Sequence, residues 1–340
     1  MSAPAPVSDP LAAYRITEAP YYRPCSGEVA LYQHAYAHRL PLILKGPTGC
    51  GKTRFVEYMA WKLGRPLVTL ACNEDMTAAD LVGRWLLDAN GTRWHDGPLT
   101  LAARHGAICY LDEVVEARQD TTVVIHPLTD ARRMLPRDRK GELVHAHPDF
   151  QLVVSYNPGY QRAAKDMKPS TRQRFAALEF DYPDATAETE IVAHEAGIDA
   201  ALAAQLVAVA QGSRELRQQG LDEGISTRRP IYAGILIRDG VAPRDSCDMT
   251  LTRALTDDPD LLAALLQEPY LHKAPPKSTG RDLFNPAWLA AYLQPFAQAA
   301  AADVQATLTE FTASASAICA NSYLNNSNTL AVCGGGALNG

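Results

Sequence analysis

The 340-residue chain is 47% hydrophobic and 21% charged, with a formal net charge of −6. This length suits about two domains, each large enough for a core of its own. The acidic balance argues against nucleic acid as the partner, because proteins that bind DNA or RNA through its phosphates usually carry a basic excess. Seven scattered cysteines without a C-x-x-C pair argue against a disulfide framework or a zinc cluster.

The beginning of the chain shows no targeting signal. Residues 1–20 are rich in Ala and Pro and lack the basic and apolar regions of a signal peptide, so they predict a flexible lead-in. No apolar stretch approaches the ~20 residues needed to cross a bilayer. We therefore expect a cytoplasmic protein without a transmembrane segment.

From residue 21 to residue 185, short apolar runs alternate with helical patterns. This alternation is typical of an α/β domain in which a mostly parallel sheet is flanked by helices. The runs are almost continuously apolar, as expected for strands buried on both faces. The predicted strands are 41–44, 66–71, 107–111, 150–156 and 177–180. The predicted helices lie near 53–63, 77–81, 99–104, 121–128 and 170–175.

Two segments of this domain predict β-hairpins instead of helical crossovers. Residues 85–94 contain the dipeptide Asn90-Gly91 between apolar flanks, which is a strong hairpin signal. Residues 133–147 have turn-forming residues at 138–141. Plain surface loops remain the alternative for both segments.

The rest of the chain divides into a helical part and a tail. Residues 186–270 predict a small all-α lid domain, with helices near 188–196, 200–219, 228–239, 244–256 and 260–266. Residues 271–340 are first Pro-rich, then Ala-rich, then polar. This composition offers little for building a core and predicts a partly disordered tail.

Residues 46–53 fit the phosphate-binding pattern G-x-x-x-x-G-K-[ST], between a predicted strand and a predicted helix. Its glycines let backbone N–H groups turn towards phosphates, and the helix N-terminus adds partial positive charge. Lys52 would reach the β- and γ-phosphates of ATP, and the hydroxyl of Thr53 would bind Mg²⁺. The predicted nucleotide-binding residues are Gly46, Pro47, Thr48, Gly49, Cys50, Gly51, Lys52 and Thr53.

Two further predicted strands end in polar side chains. The run 107–111 is followed by Asp112, which would hold Mg²⁺, and Glu113, which would deprotonate the attacking water. The run 150–156 is followed by Asn157, whose amide could hydrogen-bond both the γ-phosphate and that water. Without the phosphate-binding pattern, a solvated strand end and an Asn-Pro turn would be the ordinary interpretations.

Arginines occur at two helix ends. Arg172 and Arg174 close a short predicted helix, and Arg228 opens a helix of the all-α region. Arginine suits the spread charge of a transferring phosphoryl group, and a neighbouring subunit can supply it. Solvated or salt-bridged surface positions are the alternative for each.

The order of these features resembles the AAA+ ATPases over about residues 21–266. More narrowly, the chain resembles the CbbQ, NorQ and NirQ group of the MoxR branch. The strings that carry this resemblance are 22–24, 44–57, 80–84, 96–99, 110–118, 155–160 and 168–175.

The resemblance implies a homo-hexameric ring with ATP and Mg²⁺ at the subunit interfaces. It implies a partner with a von Willebrand factor A domain (CbbO- or NorD-like) and a target enzyme, Rubisco or nitric oxide reductase, that is remodelled. Asn157 would be the first sensor, Arg228 the second, and Arg174 or Arg172 the finger that acts across the interface. The two hairpins would face the ring surface or pore.

Three functions fit these features. The first is a motor ATPase, with Rubisco slightly preferred as the target because residues 257–260 look more like the CbbQ ending. The second is a nucleotide-dependent switch with negligible turnover, which needs Lys52 but not Glu113. The third is a P-loop kinase or transferase with a small-molecule acceptor. The paired arginines before a strand, and the lack of an obvious acceptor-binding lid, favour the motor over this third function. Residues beyond 266 have no counterpart in the resemblance.

Overall fold

The computed structural model describes residues 9–88, 91–157, 167–216, 224–252, 259–273 and 283–299, with 303–304, 307–308, 311–312 and 315. The chain divides into two compact units, Met1–Asp184 and Ala185–Gly340. Each unit has hydrophobic clusters of its own. No single described helix has the length and apolar character to span a bilayer. Two consecutive helices, Ala185–Ala196 and Ala200–Arg214, reach that length and apolar character only when they are taken together, and the chain bends by 120° between them.

A five-stranded parallel sheet forms the centre of the first unit, which confirms the predicted α/β fold and its strands. Along the chain the strands are β1 (Leu42–Lys45), β2 (Leu67–Ala71), β5 (Ile108–Asp112), β8 (Gln151–Tyr156) and β9 (Ala176–Glu179). Their order across the sheet is β2-β5-β8-β1-β9, and each neighbouring pair is parallel. All five carboxyl ends therefore lie at one edge of the sheet.

The sheet separates two hydrophobic clusters. In β5, Cys109 and Leu111 pack into one cluster, while Ile108 and Tyr110 pack into the other. Side chains alternate between the faces of a strand, so a sheet covered on both faces needs such continuously apolar strands. Leu11 is also buried, at 2% exposure, and this differs from the flexible lead-in expected for residues 1–20, of which 9–20 are described.

Helices cover both faces of the sheet. They are α1 (Glu28–Ala37), α2 (Lys52–Leu63), α3 (Ala78–Val82), α4 (Pro98–His105), α5 (Gln119–Val123) and α6 (Pro169–Arg172), with shorter 3₁₀ turns at Ala12–Tyr14, Val114–Glu116 and His126–Leu128. Helix α2 packs against the sheet through one apolar face, which includes Phe55, Val56 and Met59. It ends at Gly64 in the left-handed conformation (φ 64°), which glycine adopts without steric cost.

Both predicted hairpins are present. The first pairs β3 (Gly83–Asp88) with β4 (Gly91–Asp96), and the second pairs β6 (Met134–Arg137) with β7 (Glu142–His145). Asn90, on which the first hairpin was predicted, lies outside the described residues. The buried guanidinium of Arg137 donates to the carboxylates of both Asp96 and Glu142, so it joins the two hairpins.

The second unit begins with helices α7 (Ala185–Ala196), α8 (Ala200–Leu216), α9 (Arg228–Arg238) and α10 (Pro243–Cys247), followed by a π-helical turn, Asp248–Thr252. Among them lies a buried ion pair. Glu188, fully buried, accepts two hydrogen bonds from Arg214, at 2.6 and 2.7 Å, and one from the hydroxyl of Thr227 at 2.7 Å. This network fixes the residue immediately before α9.

The last described elements share a hydrophobic cluster that spans the predicted boundary between the lid and the tail at residue 270. Helix α11 (Pro259–Leu266), a 3₁₀ turn (Pro269–His272), helix α12 (Pro286–Leu293) and a second turn (Gln294–Phe296) precede short helical stretches. Leu261, Leu265 and Phe311 pack there with Phe284 and Trp288. This packing differs from the expectation that residues 271–340 have little means of building a core, because aromatic side chains supply the apolar area that composition alone did not suggest.

Candidate functional site

The loop between β1 and α2 is shaped by its glycines. A Cβ at Gly46 would lie 2.3 Å from the carbonyl oxygen of Phe180, so only glycine fits beside β9. Gly49 (φ 72°) and Gly51 (φ 97°) adopt left-handed conformations that turn the backbone before α2 begins at Lys52. The first N–H groups of a helix are unpaired within it, and they attract an anion. The loop and helix thus have the form of a phosphate site.

Lys52 is buried beneath this loop. Its ammonium donates to the carbonyl oxygens of Gly46 (2.8 Å) and Pro47 (2.7 Å) and to Oδ1 of Asn157 (2.8 Å). Burial lowers the pKa of Lys52, while Cys50, Asp112 and Glu113 act in the opposite direction. The lysine therefore lies within electrostatic reach of both predicted carboxylates.

Asp112 lies against the first turn of α2. The hydroxyl of Thr53 donates to Oδ2 of Asp112 at 3.3 Å, and the phenol of Tyr110 donates to Oδ1 at 2.7 Å. Hydroxyl and carboxylate oxygens are the ligands that Mg²⁺ prefers, usually with substrate phosphates and water completing the shell. Within the described residues, no group of three or more His, Cys, Asp or Glu side chains could hold a metal ion. Thr53 and Asp112 suit an ion that arrives with its nucleotide.

Glu113 follows Asp112 in an unusual backbone conformation. Its φ of 54° is left-handed, which is uncommon outside glycine and carries a steric cost. Its N–H donates to the hydroxyl of Ser155 at 2.7 Å, and its Oε1 accepts from the amide of Asn157 at 3.2 Å. The side chain of Glu113 is exposed at the carboxyl edge of the sheet.

Asn157 joins the separate parts of the site. Its Oδ1 accepts from Lys52, and its Nδ2 lies 3.2 Å from both the hydroxyl of Thr48 and the carboxylate of Glu113. This contact follows from the sheet order, because β8 lies between β1, which leads into the phosphate loop, and β5. The structure therefore brings the predicted loop, lysine, carboxylates and amide together.

Arg172 and Arg174 are not brought into this cluster. Arg172 ends α6, and Arg174 follows two residues later; both are exposed, and neither is hydrogen-bonded to a described residue of the phosphate loop. Arg174 does help to lower the pKa of His126, after the larger effect of burial. Arg228 is exposed at the start of α9 in the second unit.

Three site residues were missed by the sequence reasoning. Ser155 donates to Oδ1 of Asp112 at 2.6 Å, Tyr110 shares that oxygen, and the phenol of Tyr182 donates to the carbonyl of Thr48 at 3.0 Å. Two of them carried a usable signal: Ser155 and Tyr110 each precede a predicted site residue by two positions on a strand. Side chains two apart on a strand share a face.

These elements define the class: the chain is a P-loop ATPase of the AAA+ type. Residues 41–175 match the family model described as AAA domain (dynein-related subfamily), and residues 188–268 match the model described as CbbQ/NirQ/NorQ C-terminal. A solved structure, the Thermotoga maritima RuvB Holliday junction branch migration motor, is similar only at a TM-score of 0.45 and 16% identity, over 79% of this chain and 80% of that one.

Relatives place the chain more narrowly. It is 68% identical over 252 residues to protein CbbQ of Hydrogenophilus thermoluteolus, which is 74% of this chain and 94% of that protein. It is 57% identical to the denitrification regulatory protein NirQ of Stutzerimonas stutzeri (75% and 93% covered) and 56% identical to protein NorQ of Paracoccus denitrificans (73% and 92% covered). The chain belongs to the CbbQ/NirQ/NorQ family.

The end of the chain is similar to a different protein. Residues 250–340 match the family model described as anhydro-N-acetylmuramic acid kinase. Over 81 residues the chain is 67% identical to the anhydro-N-acetylmuramic acid kinase of Variovorax paradoxus. These residues make up 24% of this chain and 22% of that kinase. The tail thus has a counterpart, which the sequence reasoning did not find, although it spans about a fifth of that relative.

Proposed function

We propose that this protein couples ATP hydrolysis to the remodelling of a metabolic enzyme, together with a partner that carries a von Willebrand factor A domain. The observation that supports the motor most directly is the amide of Asn157, which hydrogen-bonds both Lys52 and Glu113. It connects the phosphate-binding and water-activating groups of one reaction. A switch without turnover would have no use for a carboxylate held there.

Each side chain of the site has a proposed role. Residues 46–53 bind the phosphates of ATP, with Lys52 on the β- and γ-phosphates. Thr53 and Asp112 hold Mg²⁺, which neutralises charge on the phosphates when it is bound. Glu113 takes the proton of the attacking water, and Asn157 orients that water against the γ-phosphate.

The arginines and the assembly form a second part of the proposal. Arg172 and Arg174 are exposed, so either could reach the nucleotide of a neighbouring subunit. We propose a homo-hexamer in which one of them acts as the finger, while Arg228 acts as the second sensor. A mixture of Glu113→Gln and arginine-substituted subunits tests this. A finger acts across the interface, so mixed rings regain turnover that neither variant has alone.

The domain limits are also proposed. We assign residues 1–20 to a lead-in, 21–185 to the ATPase core, 186–270 to the helical lid and 271–340 to an appended tail. The tail lies beyond the match to the CbbQ/NirQ/NorQ model, which ends at residue 268. A chain that ends at residue 270 should keep ATP turnover within about threefold of the full chain, a change of under 1 kcal/mol in the barrier. Loss of turnover would make the tail part of the working unit.

Rubisco is the proposed target, and nitric oxide reductase is the second candidate. Identity to the relative named CbbQ, at 68%, exceeds that to NirQ (57%) and NorQ (56%). Residues 257–260 do not distinguish the two targets, because the CbbQ/NirQ/NorQ C-terminal model and the anhydro-N-acetylmuramic acid kinase model both cover them. Adding the protein, ATP and the partner to inhibited Rubisco should restore carboxylation; activation of nitric oxide reductase alone would select the second candidate.

We place the protein in the cytoplasm, where ATP is available and free cysteines stay reduced.

Two substitutions test the chemistry. Glu113→Gln should keep ADP affinity within about twofold and lower ATP turnover by at least about 100-fold, which is within the contribution of a general base. Lys52→Ala should remove nucleotide binding itself. Glu57→Gln is the matched control, because Glu57 lies further along α2 and forms a partly exposed ion pair with Arg54 at 3.5 Å. Unchanged turnover in Glu113→Gln would show that the base is assigned wrongly.

A further inference from the structure

We propose that Ser155 is a positioning residue that holds Asp112 and Glu113 in register with Asn157. Its hydroxyl donates to Oδ1 of Asp112 at 2.6 Å and accepts from the N–H of Glu113 at 2.7 Å. One hydroxyl thus contacts both consecutive residues to which the hydrolytic roles are assigned. The inference rests on those assigned roles.

The position of Ser155 in the sheet explains how it reaches both residues. Strand β8 is hydrogen-bonded to β5, with Leu111 opposite Val154, so Ser155 lies beside the end of β5. Ser155 and Asn157 are two residues apart in an extended strand segment and share a face. A shift of β8 that follows contact between Asn157 and a phosphate would therefore reach Asp112 and Glu113 through this hydroxyl.

The chemistry at this point requires a group that donates and accepts at once. A hydroxyl does so, whereas an alanine methyl group does neither. Ser155 is fully buried, so water cannot readily replace it. Without it, the N–H of Glu113 loses its acceptor while the residue still adopts a left-handed φ of 54°. We expect the carboxylate of Glu113 to lose its fixed position.

Tyr110 provides an internal comparison. Its phenol donates to the same Oδ1 of Asp112, at 2.7 Å, but it does not contact the backbone of Glu113. A phenol ordinarily titrates near a pKa of about 10, so Tyr110 is a donor at neutral pH. The phenol also lies 3.5 Å from the hydroxyl of Thr53. Tyr110→Phe therefore weakens the orientation of Asp112 and Thr53, while Ser155→Ala weakens that of Asp112 and Glu113.

The test measures ADP binding by calorimetry with and without Mg²⁺, and then ATP turnover at saturating Mg²⁺. Both variants should keep metal-free ADP affinity within about twofold and lose about ten- to 100-fold of the affinity gained with Mg²⁺, as expected for one hydrogen bond to a charged group. In Ser155→Ala, kcat should also fall by at least about tenfold, with KM for ATP little changed. In Tyr110→Phe, kcat should fall much less. Ser155→Thr restores the hydroxyl and should recover most of the turnover.

The controls separate positioning from stability and from the proposed roles. Thr100→Val removes another fully buried hydroxyl, one that bonds the carbonyl of Val82, and should leave turnover unchanged. Equal kcat losses in Ser155→Ala and Tyr110→Phe, or a lower melting temperature with normal kcat, would overturn the inference. If Glu113→Gln hydrolyses ATP normally, it is the assigned base that fails, and this result is distinct from the Ser155 outcomes.

Discussion

The buried carboxylate of Glu188 offers a sharp test of the second unit. Glu188→Gln keeps the size of the side chain and removes the negative charge that pairs with the guanidinium of Arg214, which is 12% exposed. Breaking one side of a buried ion pair typically costs about 3–5 kcal/mol. Arg214 also donates to the carbonyl of Ile225 at 2.7 Å, so the lower end, about 3 kcal/mol, applies. At 1.4 kcal/mol per factor of ten, local opening should become roughly 100-fold more frequent.

Amide hydrogen exchange followed by mass spectrometry resolves this effect by region. Peptides from α7, α8 and α9 should exchange about 100-fold faster in Glu188→Gln, within the limit of global unfolding, while peptides from α2 and β5 stay unchanged. Glu190→Gln is the control, because Glu190 is exposed on the same helix. If α7 exchanges at the wild-type rate in Glu188→Gln, the buried pair does not stabilise this unit, and the reasoning from burial is refuted.

Two further predictions concern the first unit. Gly46→Ala places a methyl group 2.3 Å from the backbone oxygen of Phe180. We therefore expect its free energy of unfolding, from a thermal melt, to fall by about 2 kcal/mol or more, and its ADP binding to weaken. Gly27→Ala is the control and should have neither effect, because a Cβ at Gly27 meets nothing within 4 Å. Hydrogen bonds from Lys140 and, to a smaller extent, from Arg137 lower the pKa of Glu142 from 4.5 to about 2. The ionised carboxylate of Glu142 therefore stabilises the fold fully above pH 4.5, and this stabilisation is lost as the pH falls from 4.5 towards 2. Melting temperatures between pH 5 and 3 should therefore fall more steeply in the wild type than in Glu142→Gln; parallel slopes would contradict the assignment.

The strands were predictable because both faces of the sheet are covered. Ile43 and Leu44, for example, enter opposite clusters, and such burial leaves a continuously apolar run in the sequence. Asp112 and Asn157 were predictable for a related reason, since they follow two of these runs and parallel strands end at one edge. The order of strands in the sheet was the one further fact needed to predict that Asn157 contacts Lys52 and that Asp112 contacts Thr53.

Other contacts in the structure gave no comparable signal in the sequence. Arg137 lies in a predicted hairpin, where a charged residue suggests exposure, yet its side chain is buried between two carboxylates. Glu188 sits in an ordinary helical pattern, and its partner Arg214 follows 26 residues later. Pairings across such distances depend on tertiary packing, which local periodicity does not encode. The cluster around Trp288 and Phe311 was missed because an Ala-rich composition obscured its few aromatic residues.

The buried guanidinium of Arg137 has a consequence for exchanging parts between relatives. Asp96 ends the first hairpin, while Arg137 and Glu142 belong to the second, and the indole of Trp85 also donates to the carbonyl of Arg139 across the two. A chimera that imports one hairpin alone would break the ion pair between Arg137 and Asp96, which is the charged contact that crosses from one hairpin to the other. Transplanting both as a single cassette preserves the match, so in natural variants we expect these three charged positions to change together.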